Sequence, residues 1–403
     1  MSTPCFSERN EAEPKGLALR SQPRGFAPRA LIAMSGGVDS SVAAYLMQRQ
    51  GYDCTGITMK LYDNEAIGEP RESSCCSLAD IDDARCVCTR LGIPYYVFNF
   101  TETFATAVID RFIDAYTHGA TPNPCIDCNR YLKFERLLRR AQETNFAYVV
   151  TGHYARRSYD EKTGRYLLRK GLDANKDQSY VLYALTQEQL AQTLFPLGEY
   201  TKEQARRFAQ EQGFANASKH ESQDICFVPD GNYAAFIRRY TEQGGGSLAT
   251  PCLEKADPAR DLFPPGALVD TEGRVLGRHD GIINFTVGQR KGIGIAAAHP
   301  LYVVSIDPDT HTVVVGESSR LYNTTALVTN CNLIACDRLD APLKAQVKHR
   351  YRQAERSATI EQLDADTLKV VFDTPQKALT KGQALVIYQG DVVVGGGTIS
   401  AVL

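Results

Sequence analysis

A glycine- and serine-rich loop near the start of this chain limits the folds that it can adopt more than any other feature. The loop, Ser35-Gly-Gly-Val-Asp-Ser-Ser41, follows a short apolar strand over 31–34 and opens an amphipathic helix over 40–50. Backbone N–H groups at such a helix start point at a bound anion, and the helix dipole favours negative charge there. The lysine of a Walker-type loop is absent. The pattern predicts a phosphate-binding turn, in which Asp39 caps the helix or holds a metal ion; a plain structural turn is the alternative.

The alternation of strand and helix continues to about residue 151. Further strands are predicted over 55–61, 95–100 and 148–151, and further helices over 78–91, 104–117 and 132–144. Strands separated by helices are typical of a parallel, doubly wound sheet. Such sheets bind their ligands beyond the carboxyl ends of the strands, which is where the phosphate-binding turn lies.

The second half of the chain has a different pattern, and from residue 301 β-branched runs dominate. Strands at this spacing are typical of an antiparallel barrel or sandwich. The predicted fold class is therefore α/β. A doubly wound parallel-sheet domain covers 29–222, a small central domain covers 223–300, and a C-terminal antiparallel β-barrel covers 301–403. Residues 1–28 are predicted to be a disordered tail, with a transit peptide as the alternative.

The composition excludes several classes of protein. Hydrophobic residues make up 43% and charged residues 23%, which rules out a disordered chain, a collagen and a coiled coil. The net charge of −2 argues against a uniformly basic surface but leaves room for a local basic face. No apolar run reaches the roughly 18 residues of a membrane helix, and no apolar signal segment opens the chain. We therefore expect a soluble, cytoplasmic protein, whose 12 cysteines serve in chemistry, metal binding or burial.

Two loops carry the cysteines that are best placed for chemistry. In Thr121-Pro-Asn-Pro-Cys-Ile-Asp-Cys-Asn129, two prolines fix a turn that presents Cys125 and Cys128. The helix that follows is basic, and its cations are predicted to lower a thiol pKa and favour the thiolate. These cations are Arg130, Lys133, Arg136, Arg139 and Arg140. A second loop over 222–228 holds Cys226; a thiol that accepts sulfur and a thiol that resolves it would need such a pair.

Metal binding is the alternative use of these thiols. The spacing of Cys125 and Cys128 could be half of a zinc site, but the other cysteines lack zinc spacing. Together with Cys226 they could instead hold three irons of a [4Fe–4S] cluster. The remaining cysteines are predicted to be small buried residues, namely Cys54, Cys86, Cys88, Cys252, Cys331 and Cys336.

The phosphate loop resembles that of the ATP-pyrophosphatase (PP-loop) superfamily, whose members cleave ATP between the α and β phosphates and adenylate a carbonyl oxygen. With the other motifs, residues 29–400 closely resemble the bacterial tRNA-specific 2-thiouridylase family. The motifs are Ala33-Met-Ser-Gly-Gly-Val-Asp-Ser-Ser41, Cys75-Cys-Ser77, Thr121-Pro-Asn-Pro-Cys-Ile-Asp-Cys-Asn129, Thr151-Gly-His-Tyr154, Asp173-Ala-Asn-Lys-Asp-Gln-Ser-Tyr180, Ser222-Gln-Asp-Ile-Cys-Phe227, Phe285-Thr-Val-Gly-Gln-Arg-Lys-Gly292 and His349-Arg-Tyr-Arg352.

The resemblance implies a sulfurtransferase that acts on the wobble uridine in the anticodon loop of certain tRNAs. ATP with Mg²⁺ would adenylate the C2 oxygen of the uracil, and a persulfide sulfur would displace AMP to give 2-thiouridine. In the family's pattern Cys226 carries the persulfide, and Cys128 is the nucleophile that completes transfer, with a transient disulfide between them. Asn123, Pro124 and Cys125 match the loop beside the target base, and some relatives carry an acidic residue where this chain has Cys125.

The family match also implies the binding positions. Those for ATP are Ala33, Met34, Ser35, Gly36, Gly37, Val38, Asp39, Ser40, Met59 and Gly152. Those for tRNA are His153, Lys176, Asp177, Gln178, Arg350, Tyr351 and Gln383. The basic cluster over 344–352 and a mobile basic loop over 288–294 of the central domain are predicted to contact the tRNA as well.

The expected partners are tRNA and a persulfide-bearing sulfur-relay protein or cysteine desulfurase, with no membrane. Two rival functions remain. A nitrogen-delivering ligase of the same superfamily would leave Cys128 and Cys226 without a use, and a non-catalytic RNA-binding protein would leave the phosphate loop without one.

Overall fold

The computed structural model describes residues 27–62, 78–219, 225–228, 230–243 and 262–403. The tail predicted over 1–28 therefore lies almost wholly outside the described residues. The same holds for the Cys75-Cys-Ser77 motif, for Ser222–Asp224 of the second cysteine loop, and for Cys252.

The first half of the chain forms a five-stranded parallel sheet with one added hairpin. In chain order its strands are β1 (Arg29–Ala33), β2 (Asp53–Lys60), β3 (Tyr95–Asn99), β4 (Tyr148–Val150), β5 (Ala155–Asp160), β6 (Arg165–Lys170) and β7 (Thr193–Leu194). The sheet order is β3-β2-β1-β4-β7, and every neighbouring pair is parallel. This confirms the predicted doubly wound domain. The order reverses between β1 and β4, which is the switch point where such sheets bind ligands.

Helices cover this sheet. They are α1 (Val38–Arg49), α2 (Leu78–Leu91), α3 (Thr101–Phe104), α4 (Asp110–Thr117), α5 (Pro124–Asp127), α6 (Leu137–Glu143), α7 (Gln187–Ala191), α8 (Lys202–Glu211) and α9 (Tyr233–Glu242). Two π-helical segments, Ala105–Ile109 and Cys128–Arg136, join α3 to α4 and α5 to α6. In the described ranges, no helix combines the length and the apolar character needed to cross a bilayer.

The two faces of the sheet bury different residues, as the period of a strand requires. Leu31 of β1 belongs to the core cluster on one face, and its neighbour Ile32 belongs to the cluster on the other. Cys54 and Cys88 are buried in the second cluster, as predicted, whereas Cys86 is exposed. The prediction for Cys86 was wrong because it lies on the solvent side of α2, two residues from the buried Cys88.

The central domain is a separate four-stranded sheet. Its strands are β8 (Gly266–Val269), β9 (Val275–His279), β10 (Tyr302–Asp307) and β11 (Thr312–Gly316), in the order β10-β11-β8-β9. The predicted boundary at residue 300 is therefore misplaced, because β11 pairs with β8 and β10 pairs with β11. The boundary at residue 222 is misplaced too, because Phe227 and Phe236 are buried in the same cluster as Phe112 of α4.

The C-terminal strands close into a barrel. They are β12 (Tyr322–Leu333), β13 (Leu343–Lys348), β14 (Arg356–Gln362), β15 (Leu368–Lys377), β16 (Ala384–Gln389) and β17 (Val392–Val402). Their order is β12-β15-β14-β13-β16-β17, and β12 also pairs with β17. All of these pairs are antiparallel. The barrel prediction is confirmed and the sandwich alternative is excluded, because a sandwich has no such closing pair.

The hairpin of β5 and β6, which the sequence analysis did not predict, ties the first domain to this barrel. Arg169 of β6 pairs with Val392 of β17. Asp391 accepts a hydrogen bond from Arg156 at 2.9 Å and another from Arg169 at 2.7 Å. The hairpin thus extends the barrel sheet to eight strands.

A second contact between these domains lies at the start of the first cysteine loop. The Thr121 N–H donates to the carbonyl of Lys381 at 2.8 Å, and Gln383 Nε2 donates to the Thr121 carbonyl at 2.7 Å. Between them, a Cβ on Gly382 would come within 2.9 Å of the Thr121 nitrogen. The barrel therefore fixes the backbone from which the cysteine loop departs.

We predict that Gly382→Ala loosens this contact. Gly382 has a φ of +89°, so alanine adds backbone strain of about 1–2 kcal/mol as well as a collision with Thr121. Gly390→Ala is the matched control, because Gly390 also has a positive φ but no atom within 4 Å of its Cβ position. Thermal unfolding should show a lower midpoint for Gly382→Ala than for the control. Equal midpoints would mean that the contact between the barrel and Thr121 tolerates the alanine side chain.

Candidate active site

The phosphate-binding turn lies at the switch point of the parallel sheet. It leaves β1 at Ala33 and enters α1 at Val38, while Gly152 follows the neighbouring strand β4. A Cβ on Gly152 would lie 2.8 Å from the backbone nitrogen of Ser40 and from the backbone carbon of Asp39. Only glycine lets the two loops approach so closely. The ATP positions predicted on the two loops therefore lie next to each other.

Hydroxyl groups hold the turn in shape. Ser40 Oγ accepts from the Ser35 N–H and donates to the Gly37 carbonyl, both at 3.1 Å, and Ser41 Oγ donates to the same carbonyl at 2.9 Å. Asn216, which is buried, donates to the Gly36 carbonyl at 2.9 Å. Ser35 is exposed, although its N–H and its hydroxyl both contact Ser40 Oγ. The structure brings together the ten positions implied for ATP, since Met59 lies near the end of β2 beside β1.

The sequence analysis missed a lysine that lies on this turn. Lys202 Nζ donates to both carboxylate oxygens of Asp39, at 2.7 and 2.9 Å, and Tyr154 donates to Asp39 Oδ1 at 2.8 Å. The Lys202 side chain is only 11% exposed. Asp39 therefore does not cap α1; the N-cap is Gly37, which has no capping side chain. Lys202 thus places a cation against the carboxylate of the turn.

A signal for Lys202 was present in the sequence. Lys202 is the first residue of α8, after Thr201, which forms a capping box with Gln204. The helix dipole disfavours a cation at this end of a helix. A buried lysine in the first turn of a helix goes against this preference. Residues that go against such local preferences are often found at functional sites.

The first cysteine loop is a short helix with a defined start. Asn123 is the N-cap of α5, and its Oδ1 accepts the Cys125 N–H at 3.2 Å, with Pro124 in the first turn. Cys125 is exposed, whereas Cys128 packs against the core cluster that includes Phe112. Cys128 is also where the π-helical segment begins, a form of helix that is often found at functional sites.

The predicted activation of Cys128 by its basic helix is wrong. Burial raises the pKa of the Cys128 thiol; Lys133 lowers it and the Asp127 carboxylate raises it further. Of the five cations, Lys133 is the one that lowers the pKa of the thiol, and Arg140 pairs with Glu143 instead. Burial outweighs this one cation, so Cys128 is a neutral thiol in this state.

Asp127 is a second residue that the sequence analysis did not single out. Burial raises its pKa to about 6, against the opposing effects of Arg111 and Arg130. Its Oδ2 lies 3.9 Å from Arg111 Nε, and its side chain is 21% exposed. The residue next to Cys128 is therefore an acid that titrates close to neutral pH.

The second cysteine loop is anchored beside the first. Phe227 packs edge-on against Phe112, with ring centroids 5.4 Å apart, and Tyr62 donates to the Cys226 carbonyl at 2.9 Å. Cys128 and Cys226 both pack against the same core cluster as partly buried residues. The fold thus brings the two loops onto one part of the core, although about a hundred residues separate them in sequence.

The described residues contain no group of three or more His, Cys, Asp or Glu side chains arranged to hold a metal ion. The cluster alternative is therefore not supported, because Cys125 is exposed on its helix while Cys128 and Cys226 pack against the core. Cys128 is a free thiol.

Two residues of the segment over 344–352, which is predicted to contact tRNA, lie against Tyr180. Tyr351 packs against its ring at a centroid distance of 6.0 Å, and the Lys348 ammonium lies 6.0 Å from the same ring. Tyr180 itself follows Lys176, Asp177 and Gln178 in the chain. The side chains of Asp177 and Gln178 form hydrogen bonds within the protein. Asp177 accepts from Ser179, and Gln178 Oε1 accepts from the Tyr154 N–H.

His153 and Gln383, which are also predicted to contact tRNA, form contacts within the protein. His153 is buried between Phe134 and Phe195, and burial holds its pKa well below its usual value, so the ring is neutral. Gln383 donates to the Thr121 carbonyl at the start of the first cysteine loop.

Three family models match successive parts of the chain. They are described as "tRNA methyl transferase HUP domain" for residues 28–230, "tRNA methyl transferase PRC-barrel domain" for 261–317 and "Aminomethyltransferase beta-barrel domain" for 323–399. These ranges agree with the domain limits seen in the structure.

Curated relatives match nearly the whole chain. The "tRNA-specific 2-thiouridylase MnmA" of Clostridioides difficile (strain 630) is 46% identical over 371 residues, covering 92% of this chain and 98% of its own. The "tRNA-specific 2-thiouridylase MnmA 2" of Caldanaerobacter subterraneus subsp. tengcongensis is 48% identical over 374 residues, covering 92% and 97%. A solved 4-thiouridine synthetase–RNA complex with bound ATP is similar to 54% of this chain and 50% of its own, with 20% identity and a TM-score of 0.34, too low to carry an argument.

The family descriptions and the relatives differ in the group that they name as transferred. Two of the domain descriptions name a tRNA methyl transferase, whereas the relatives are named for thiolation. The relatives carry more weight because each spans all three domains at once, and because two cysteine loops beside a phosphate loop are suited to sulfur transfer.

We predict that Lys202→Met weakens the binding of ATP. The variant leaves the Asp39 carboxylate uncompensated beside the phosphates and removes a charge-assisted contact of about 1.5–3 kcal/mol, or roughly ten- to a hundredfold in affinity. Isothermal titration with ATP measures this. Arg206→Gln, an exposed cation on the same helix, is the control and should bind ATP as the unaltered chain does. Unchanged affinity in Lys202→Met would remove Lys202 from the site.

We also predict a pH-dependent gain in stability for Asp127→Asn. The pKa of Asp127 in the folded chain, about 6, exceeds its ordinary value of 3.8. The folded chain therefore keeps a proton that the unfolded chain releases, so the stability of the unaltered protein falls as pH rises from about 4 to 6. The asparagine variant lacks this titration, and its relative gain should reach at most about 3 kcal/mol above pH 6. Urea unfolding at pH 4 and pH 7 tests it; a difference that is the same at both pH values contradicts it.

Proposed function

The chain belongs to the tRNA-specific 2-thiouridylase family, and we propose that it thiolates the wobble uridine of tRNA at C2 by an ATP-dependent sulfur transfer. The observation that carries this proposal is the juxtaposition of a phosphate loop with two cysteine loops on one domain. The enzyme is a sulfurtransferase. Its tRNA substrate follows from family membership, and the steps below assign roles to this chain's own residues.

Adenylation uses the phosphate-binding turn. The backbone N–H groups at the start of α1 and the Lys202 ammonium face the phosphates of ATP and stabilise the pyrophosphate that leaves. The C2 oxygen of the uracil attacks the α phosphorus, the bond to pyrophosphate breaks, and the N3 proton is lost. Mg²⁺ neutralises phosphate charge when it is bound with ATP, and Asp39 is the carboxylate on the turn that would help to hold it.

Sulfur transfer uses Cys226 and Cys128. The terminal sulfur of a persulfide on Cys226 attacks C2 of the adenylated base, and the C2–O bond to AMP breaks. The Cys128 thiolate then attacks Cys226 Sγ, the S–S bond to the transferred sulfur breaks, and that sulfur stays on the base. The products are 2-thiouridine and a disulfide between the two cysteines, which an external dithiol reduces.

The neutral state of Cys128 suits this order of events. A thiol whose pKa is raised by burial is a weak nucleophile toward the persulfide as long as it keeps its proton. Bound tRNA must therefore change the surroundings of Cys128, or accept its proton, before the last step.

In this proposal the tRNA lies across the contact between the first domain and the barrel. Tyr351, which packs against Tyr180, would bind it together with Lys176 and Arg350, and Asn123, Pro124 and Cys125 would lie beside the target base. Extrusion of the uridine from the anticodon loop would bring it to this loop, because enzymes that alter a base take it out of its stack. A persulfide-bearing relay protein or a cysteine desulfurase would load Cys226.

One experiment tests the proposed reaction against its rivals. The protein is mixed with ATP, a persulfide donor and unmodified tRNA, and pyrophosphate, AMP and 2-thiouridine are measured. Thiolation with one AMP for each modified base supports the proposal. AMP formation that requires ammonia or an amino acid would favour a ligase, methylation with S-adenosylmethionine would favour the domain descriptions, and tRNA binding without any of these would favour an RNA-binding protein.

We predict that Cys226→Ser and Cys128→Ser each abolish 2-thiouridine while tRNA binding is kept. Oxygen cannot carry a persulfide or displace one, and serine has nearly the volume of cysteine. Adenylation should persist in both variants and be visible as pyrophosphate release. Cys86→Ser is the control, because Cys86 is an exposed thiol on α2. Full thiolation by Cys226→Ser or by Cys128→Ser would refute the role assigned to that cysteine.

A further inference from the structure

The phosphate-binding turn carries a negative charge at the place where it is expected to bind a polyanion. Among residues 33–41, Asp39 is the only charged side chain. It lies in the first turn of α1, at the helix end that is suited to phosphate. A carboxylate at this place repels phosphate oxygens unless a cation lies between them. The charge of Asp39 therefore has to be neutralised whenever ATP is bound.

In the structure the neutralising cation is Lys202. Its Nζ donates to Asp39 Oδ1 at 2.7 Å and to Asp39 Oδ2 at 2.9 Å, and the Tyr154 hydroxyl donates to Oδ1 at 2.8 Å. A carboxylate has about four lone-pair positions, so these three hydrogen bonds take most of them. The ammonium is thereby directed at the carboxylate and not at the place of a phosphate.

Mg²⁺ uses the same kind of oxygen. It binds through one or two carboxylates together with waters and substrate phosphates, in near-ideal octahedral geometry. The Asp39 side chain is 30% exposed, whereas that of Lys202 is 11% exposed. The carboxylate is thus the open side of the ion pair, which a metal ion that arrives with ATP can reach. A divalent ion and an ammonium on the same two oxygens repel each other, so they are alternative partners of Asp39.

The backbone of Lys202 is fixed independently of its ammonium. The Lys202 N–H donates to Asp173 Oδ2 at 3.0 Å, and Thr201 and Gln204 form the capping box at the start of α8. The four-carbon stem of a lysine is flexible, and its ammonium is a compact point charge. Because Nζ already lies beside the first turn of α1, rotation of the stem carries it toward a phosphate that is bound at that helix end.

We propose that the ion pair between Asp39 and Lys202 makes the site specific for ATP that carries Mg²⁺. Without the metal ion, Lys202 stays on Asp39, and little of its charge is available to metal-free ATP. When ATP arrives with Mg²⁺, Asp39 exchanges Lys202 for the metal ion, and Lys202 passes to the phosphates, where it stabilises the leaving pyrophosphate. This inference rests on the proposed function, because it takes ATP with Mg²⁺ to be the bound nucleotide.

The test measures ATP binding to the full chain by titration calorimetry without tRNA, once in EDTA and once with Mg²⁺. Asp39→Asn releases Lys202 from its charged partner, while the amide oxygen can still accept from Tyr154. This variant should bind ATP in EDTA about tenfold more tightly than the unaltered chain does, because a charge-assisted contact to phosphate is gained. Mg²⁺ should raise the ATP affinity of the unaltered chain and add little to that of Asp39→Asn.

The double variant Asp39→Asn/Lys202→Met shows whether Lys202 causes the gain. It has the same neutral residue at position 39 but no ammonium, so it should bind metal-free ATP about tenfold more weakly than Asp39→Asn does. Glu203→Gln, which removes an exposed negative charge next to Lys202, is the control and should bind ATP as the unaltered chain does. Asp39→Ser has the same expectation as Asp39→Asn and replaces it if that variant fails to fold.

Two results would overturn the proposal. One is that Asp39→Asn binds metal-free ATP no more tightly than the unaltered chain. The other is that its gain survives the removal of Lys202, which would mean that Asp39 only repels phosphate. Neither result depends on tRNA or on sulfur, so 2-thiouridine formation would still leave the proposed function standing. Absence of ATP binding in every protein, with and without Mg²⁺, would overturn both.

Discussion

The contact between the two loops at the switch point of the parallel sheet is the constraint on which the rest of the site depends. Gly152 lets the loop after β4 lie against the first residues of α1, so the phosphate-binding turn is held from two sides. Asp39 is then directed toward Lys202 and Tyr154. The close approach therefore lies next to the ion pair that joins Lys202 to the turn.

The barrel is part of the active site's support and not only an RNA-binding module. It fixes the start of the first cysteine loop through Thr121, and through Asp391 it holds the β5–β6 hairpin. The hairpin follows directly on Gly152 and His153. The barrel therefore contacts both the segment that follows Gly152 and the start of the first cysteine loop.

Burial sets the reactivity of the thiols more than charge does. Sequence reasoning placed five cations near Cys128 and predicted a thiolate, but a helix spreads such residues around its axis, and the core removes water from the sulfur. The same burial raises the pKa of Asp127, two residues beyond the exposed Cys125. The first cysteine loop thus holds a neutral thiol next to an acid that titrates about one unit below neutral pH.

The sequence by itself determined the features that depend on neighbouring residues. The period of the strands and helices, the turn of Ser35–Ser41 and the proline-fixed Cys125–Cys128 loop are local, and they were predicted correctly. The tertiary structure decided what depends on distant partners. Lys202 meets Asp39 across 163 residues, β10 and β11 join the central sheet instead of the barrel, and Cys128 loses its expected activation. The physical reason is that pairing between strands, ion-pair distances and desolvation are set by the packed arrangement of the whole chain, and a local pattern carries no information about any of them.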